Sequence, residues 1–248
     1  MEAAVYLQLR KIEDTHWWFV ARRAIIKHIL CSMRLPRDGK ILDIGCGTGG
    51  NLAMLEAFGE VTGLEMNEAA RSMAQAREVC PIYLGSLPDN IPFQGQQFDL
   101  VTLLDVLEHI DDHAGTLEVI EKMLKPSGRV IITVPAFRFL WSGHDERHHH
   151  KRRYSKRELT QVLLESGLKP LYVTYYNMWL FPVIVALRLA KKMLGQHDSD
   201  DEKLPSPWLN NILRIVFESE RHLVMRTQLP FGVSLLAVAQ RIQAETEN

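Results

Sequence analysis

Cysteine is scarce in this chain: Cys31, Cys46 and Cys80 are the only three in 248 residues. They form no metal-binding spacing and cannot all pair, which suits a reducing compartment. Net charge is lacking too, at −1, which argues against broad electrostatic attraction to nucleic acid or to an anionic membrane. No apolar run reaches the roughly 20 residues that a spanning helix needs, and the longest uncharged one, residues 178–187, contains Pro182. The opening residues lack the basic start and apolar core of a secretory signal, and no internal repeat is visible. These absences predict a cytoplasmic chain, or one at most peripheral to a membrane. What remains, 46% apolar and 24% charged residues, is the composition of a soluble globular protein with a sizeable core.

Apolar runs then set the organisation. Short strands are predicted at residues 40–44, 60–65, 82–84, 98–104 and 129–134, alternating with helices at 50–58, 67–78 and 112–124. That alternation marks a parallel sheet covered on both faces. A preceding helix is predicted over 14–33, with Trp18, Ile25, Ile29 and Met33 on one side. Residues 137–154 have no apolar period and read as a functional loop. A helix follows over 155–166, opened by the capping box Ser155-x-x-Glu158 and closed by Gly167. Two last strands, 171–175 and 234–239, flank roughly sixty residues with two apolar helical stretches and a loop at 196–207.

The informative segment is Ile41-Leu-Asp-Ile-Gly-Cys-Gly-Thr-Gly-Gly-Asn51, an apolar strand that ends in glycines as a helix begins. Glycines there allow a tight turn and close approach of a ligand. Gly45, Gly47 and Gly50 also satisfy the dinucleotide G-x-G-x-x-G pattern, with Glu65 twenty residues after the first. Asp43 weighs against a dinucleotide, because a carboxylate at the mouth of the loop repels a pyrophosphate and attracts an ammonium or sulfonium. Glu65 ends the second strand, where an acid can accept both ribose hydroxyls. Ser86 and Leu87 follow the third strand, and Asp105-Val-Leu-Glu-His109 follows the fourth.

Taken in order, Ile-Leu-Asp-Ile-Gly-Cys-Gly-Thr-Gly, the acid at Glu65, Phe-Asp-Leu-Val…Asp-Val-Leu-Glu-His-Ile and Leu-Lys-Pro-Ser-Gly-Arg-Val resemble the successive motifs of class I S-adenosylmethionine-dependent methyltransferases. The resemblance covers about residues 40–134. It implies a Rossmann-like, doubly wound α/β fold with a seven-stranded sheet and an antiparallel last strand. On that pattern residues 1–39 form a helical cap, 40–175 and 232–248 the sheet core, and 176–231 a helical lid inserted between the last two strands. It also implies that Asp43, Gly45 and Gly47 hold the methionine end, Glu65 the ribose, and Ser86 and Leu87 the adenine region, with Cys46, Gly49, Met66, Asp105 and Val106 completing the cofactor site. Many members carry an Asp where this chain has Ser86. The outer segments, His16-Trp-Trp-Phe-Val-Ala-Arg-Arg23 and His144-Asp-Glu…His150-Lys-Arg-Arg-Tyr154, resemble a bacterial subgroup whose members include enzymes of sugar and lipid pathways.

The acceptor side is read from the same segments. Adjacent Trp17 and Trp18 lie about 100° apart on a helix, so one of them covers the ligand pocket or the pair staples the first helix. Four of the ten histidines fall within residues 144–150. His109, His144, Asp145 and His150 are the candidate proton acceptors, and Arg152, Arg153 and Tyr154 the candidate acceptor-binding groups. Neighbouring histidines should point different ways, and no pattern of groups to support them from behind is evident, so no metal is expected. The expected activity is O- or N-methylation of a small molecule or a lipid- or sugar-linked metabolite. The alternatives are a protein side-chain (lysine) methyltransferase, an NAD-dependent oxidoreductase and a non-catalytic adenosylmethionine-binding protein. Residues 177–195, uncharged at first and then basic at Arg188, Lys191 and Lys192, are expected to touch a membrane surface. No nucleic-acid partner is expected, and the sequence leaves the oligomeric state open.

Overall fold

The computed structural model describes residues 3–194 and 204–242. Its strands are β1 (Lys40–Ile44), β2 (Glu60–Glu65), β3 (Ile82–Leu84), β4 (Phe98–Leu104), β5 (Leu124–Pro135), β6 (Leu168–Tyr176) and β7 (Ser234–Arg241). Nine α-helices lie among the described residues: α1 (Ala3–Ile12), α2 (Trp17–Ser32), α3 (Leu52–Glu56), α4 (Glu68–Gln75), α5 (His113–Met123), α6 (Gly143–Arg147), α7 (Lys156–Glu165), α8 (Phe181–Met193) and α9 (Pro207–Glu218). The strands form one sheet in the order β3-β2-β1-β4-β5-β7-β6. β1 to β5 pair in parallel, while β7 runs antiparallel to both β5 and β6. This is the doubly wound arrangement with an antiparallel last strand that the motifs implied. Every residue of β4 is buried, as a strand covered on both faces requires.

The carboxyl ends of β1, β2 and β4 line one edge. The strand order reverses between β1 and β4, so their loops diverge there and leave a crevice, the usual ligand position in open α/β sheets.

The structure departs from expectation at the amino end. The single helix predicted over 14–33 is α2, and a second helix, α1, precedes it. The break falls at His16, whose ring accepts a hydrogen bond from the Trp18 N–H at 3.3 Å and so caps α2. α1 buries Val5, Tyr6 and Ile12, a side too short and too mixed in polarity to stand out as a period.

The two helices of the insertion differ. α9 is clamped onto α2: Asn210 accepts from the Trp17 N–H and donates to the Thr15 carbonyl, both at 2.9 Å. Phe217 is fully buried, stacked on Tyr176 and meeting Trp17 edge-on. α8 has no buried residue. The acidic run 198–202, most of the loop expected at 196–207, and residue 195 of the expected membrane segment lie outside the described residues.

Glu220 ties the insertion to the sheet. Its side chain is buried and accepts hydrogen bonds from the Met178 and Trp179 N–H groups at 2.7 and 2.9 Å, where the chain leaves β6. Burial pushes its pKa up to about 7, against the opposing effect of those bonds. The folded state therefore holds more protons than the unfolded state between the ordinary carboxyl range and pH 7, and stability falls as pH rises through that window. Glu220→Gln, which keeps an accepting oxygen, should flatten this slope in denaturant unfolding between pH 5 and 8. Glu220→Ala, which removes both bonds, should cost roughly 2–3 kcal/mol; an unchanged midpoint would show that the contact carries no load.

Candidate active site at the carboxyl edge of the sheet

The loop after β1 is pinned to the end of β2. The Gly45 and Cys46 N–H groups both donate to the Leu64 carbonyl, at 2.8 and 3.1 Å. Gly45 has φ +64°, and a Cβ there would lie 2.7 Å from Val106, so the first glycine is forced by both backbone and packing. Gly47 has φ +57° with nothing within 4 Å of where a Cβ would sit. The Glu65 carboxylate accepts from the Gly47 N–H at 2.9 Å and the Asn67 N–H at 2.8 Å. A carboxylate has about four acceptor positions, so Glu65 keeps capacity for the hydroxyls of a ribose. Asp43 is buried, with one oxygen accepting from the Thr102 hydroxyl at 2.6 Å and the other without a partner. Burial pushes the Asp43 pKa up to about 6, against the Thr102 bond and the charge of Arg22. The open cradle at Gly47, the acceptor capacity of Glu65 and the unpartnered oxygen of Asp43 fit an adenosyl ligand bearing cationic groups.

The remaining cofactor candidates flank this loop. Cys46 is buried, and burial raises its thiol pKa, which suits packing. Gly49 turns at φ +86° against Arg77 and Leu52. Met66 is 70% exposed beyond Glu65. Ser86 and Leu87 are half-buried after β3, where the Ser86 N–H donates to the Asn90 carbonyl at 2.8 Å.

Sequence reasoning missed Arg22. This buried side chain pairs with Asp105 at the end of β4, reaches Asn51 at 3.4 Å and lies over the Trp18 ring, 4.7 Å from its centroid. The signal available was a cation four residues after Trp18 on the same helix face. Trp18 therefore shields an ion pair, whereas Trp17 packs on Phe217 of α9. Asp105 adopts φ +61°, uncommon for a residue with a side chain, and is half-buried as it meets Arg22. Two positions past Val106, Glu108 is fully buried with neither carboxyl oxygen hydrogen-bonded. Burial, then the charge of Asp105, raises its pKa well above the usual range.

The loop after β5 brings the other candidates together. Arg153, expected at the acceptor, is instead committed within the protein: it donates to both Asp145 oxygens at 2.7 and 2.9 Å and to the Ala136 carbonyl at 3.0 Å. Asp145 also meets His150 Nδ1 at 2.8 Å. Although burial opposes it, these bonds from His150 and Arg153 hold the Asp145 carboxyl well below its ordinary range. Tyr154 is buried with its hydroxyl 2.9 Å from His113 Nδ1, away from any open surface. Arg152 remains half-buried, donating to the Asp111 carbonyl at 3.0 Å. The His109 ring meets that of His150 at 4.7 Å, edge to face. Burial, then His150 and His148, push its pKa down to about 3. Burial and the same two neighbours also hold His144 well below its ordinary value.

The expectation that these histidines diverge holds only for His149, which is exposed at φ +55°. Ligand atoms of His144, His148 and His150 all lie within 4.8 Å of one another, as do those of Glu108, His109 and His150. Asp145 stands behind His150 and fixes its ring through Nδ1.

Comparison with known proteins agrees with this geometry. A family model described as a methyltransferase domain matches residues 17–173. A ubiquinone biosynthesis O-methyltransferase of Pseudomonas entomophila (strain L48) is 36% identical over 104 residues, covering 38% of this chain and 43% of the relative. A demethylmenaquinone methyltransferase of Staphylococcus epidermidis is 31% identical over 130 residues, covering 47% of this chain and 54% of the relative. The chain thus spans about half the length of these curated relatives. Among solved structures, a chain of the complex between the Haloferax volcanii Trm112 methyltransferase activator and a methyltransferase superposes with TM-score 0.64 at 20% identity, over 98% of this chain and 97% of that one. A methyltransferase of Bacillus halodurans C-125 gives 0.58 at 16% identity, over 89% of this chain and 99% of that one. At such identities the two structures share the fold alone.

Two measurements check the cofactor site. Glu65→Gln should weaken S-adenosylhomocysteine binding by roughly 1–3 kcal/mol, the loss of a charge-assisted hydrogen bond. An equal loss for a 2′,3′-dideoxy analogue would mean that Glu65 does not meet the ribose. Because Asp43 ionises near pH 6, affinity for S-adenosylmethionine should rise about tenfold from pH 5 to 7 as the carboxylate forms. Asp43→Asn should abolish that rise; a flat wild-type profile would contradict the role.

Proposed function

The chain belongs to the class I S-adenosylmethionine-dependent methyltransferases, and we propose that it methylates a hydroxyl or amine of a small, largely apolar acceptor carried by or dissolved in lipid. Family membership removes the dinucleotide alternative. The observation that carries the acceptor class is an aromatic wall beside the histidine loop. Phe137 stacks on Tyr175 at 4.9 Å and 7°, and meets Phe139 and Phe181 at 5.4 and 5.7 Å. Phe181 in turn meets Phe231 at 5.2 Å. Phe139, Trp141 and Phe231 are all exposed, as befits a surface that a planar or chain-bearing ligand covers. The names of the quinone-directed relatives support the same class.

α8 extends that surface. It exposes Val183, Leu187, Leu189 and Met193, and its Arg188 donates to the Leu140 carbonyl in the loop after β5. An apolar helix face next to basic residues suits contact with a lipid interface, from which such an acceptor would enter.

S-adenosylmethionine supplies a methyl group already activated by its sulfonium. The protein's task is to align the acceptor atom with it and to exclude water, which can account for much of the acceleration. Asp43 and Glu65 hold the cationic and ribosyl parts. Arg22 and Asp105, shielded by Trp18, close the floor between cofactor and acceptor. Asp145 and His109 are poor bases, one held as a bonded carboxylate and the other with a pKa near 3. His144 is held low by burial and its neighbours as well, which makes it a poor base too.

Incubation of the protein with methyl-labelled S-adenosylmethionine and a cell extract tests this. Label should enter the organic-soluble fraction, and Phe139→Ala should lower transfer about tenfold or more while S-adenosylhomocysteine affinity stays within about threefold. Label confined to the protein pellet would overturn the acceptor class in favour of side-chain methylation. Flotation with anionic liposomes checks the route of entry: protein that stays soluble at low salt would remove lipid contact.

A further inference from the structure

Five side chains that carry metal-ligating atoms meet where the end of β4 faces the loop after β5. The chain's local geometry explains how one segment supplies three of them. His144 and His148 are four residues apart and so share a face of α6 and its exit turn; their rings lie 4.2 Å apart. His149 takes φ +55°, in the left-handed region, and the following His150 N–H donates back to the Asp145 carbonyl at 2.8 Å. That turn throws His149 outward and returns His150 to the side of His144 and His148, with ring centroids 5.8 and 5.9 Å away.

We propose that His144, His148 and His150 bind a divalent transition metal of the zinc type at the acceptor side of the site. Three observations carry this. The ligand atoms of the three imidazoles lie within 4.8 Å of one another, close enough that small rotations bring them around one ion at about 2.0–2.1 Å. His150 Nδ1 is held by Asp145, which leaves Nε2 as the lone-pair atom; a carboxylate behind a ligating histidine fixes its ring and raises its basicity toward the metal. Asp145 is itself fixed by the two-oxygen contact from buried Arg153, so the device is braced. On the other side of His150, Glu108 is a fully buried carboxyl with no hydrogen-bond partner, a group that a nearby cation would satisfy.

The donor set favours zinc-like ions over magnesium or calcium, because imidazole nitrogen suits the former and oxygen-rich shells the latter. Three protein ligands leave a position open for an oxygen of the acceptor. A hydroxyl bound there would lose its proton to solvent more readily. This last role rests on the methyltransferase reading, whereas metal binding does not.

The test uses the full chain, dialysed free of metal and titrated with Zn²⁺ against a chromophoric chelator and with Co²⁺ by visible absorption. One equivalent should bind at micromolar affinity or tighter. His148→Gln should weaken it at least a hundredfold and His149→Ala should leave it unchanged. S-adenosylhomocysteine binding, measured in parallel, reports folding and the cofactor site: loss of that binding in the wild type would sink the methyltransferase reading alone. The metal site is overturned if the wild type binds no stoichiometric Zn²⁺, or if His148→Gln binds as tightly as wild type. Should His148→Gln fail to fold, X-ray absorption of the Zn²⁺-loaded wild type decides. Scattering from three imidazoles supports the site, and an oxygen-dominated shell or fewer than three imidazoles contradicts it.

Discussion

The ion pair between Arg22 and Asp105 holds the site together. Three carboxyls, those of Asp43, Asp105 and Glu108, come close to the buried Arg22 guanidinium. Charges buried this deeply persist only when paired or neutralised. Arg22 pairs with one, while the raised pKa values of the other two show how little solvation they have. The pair also joins α2 to the end of β4, with the Trp18 ring over the guanidinium. Glu65, at the end of β2, adds a fourth acid to the same edge. A site with more buried acids than cations is suited to a ligand that brings positive charge, and the structure explains that preference without reference to any single motif.

The same economy of charge governs the acceptor side. Asp145 is buried as a carboxylate because Arg153 and His150 satisfy it, and burial with the neighbouring imidazoles holds His109 and His144 below their ordinary pKa. Imidazoles gathered beside a braced carboxylate form a donor set suited to a zinc-type ion. That contrast separates the two halves of the crevice: one gathers buried carboxyls, the other presents nitrogen donors beside an aromatic wall.

Much of the fold was legible in the sequence because a parallel sheet covered on both faces writes its strands as continuous apolar runs. The glycine loop, Glu65 and the end of β4 were legible for a related reason, since their spacing follows from the β-α-β unit itself. What escaped depends on contacts between distant residues. Arg22 looks like an ordinary helix cation until Asp105, 83 positions away, folds against it. Arg153 looked free to clamp an acceptor because nothing local reveals Asp145 as its partner. The histidines appeared divergent because the left-handed turn at His149 is not written in any period, and the contacts of Phe217 and Asn210 with the start of α2 join residues some two hundred positions apart.

The central claim is that this carboxyl edge selects a cationic adenosyl ligand over a dinucleotide. Calorimetric titration of the protein at neutral pH with S-adenosylmethionine, S-adenosylhomocysteine and NAD addresses it directly. The account requires the two adenosyl ligands to bind with dissociation constants on the order of micromolar and NAD to bind far more weakly. Tighter binding of NAD than of S-adenosylhomocysteine would contradict it.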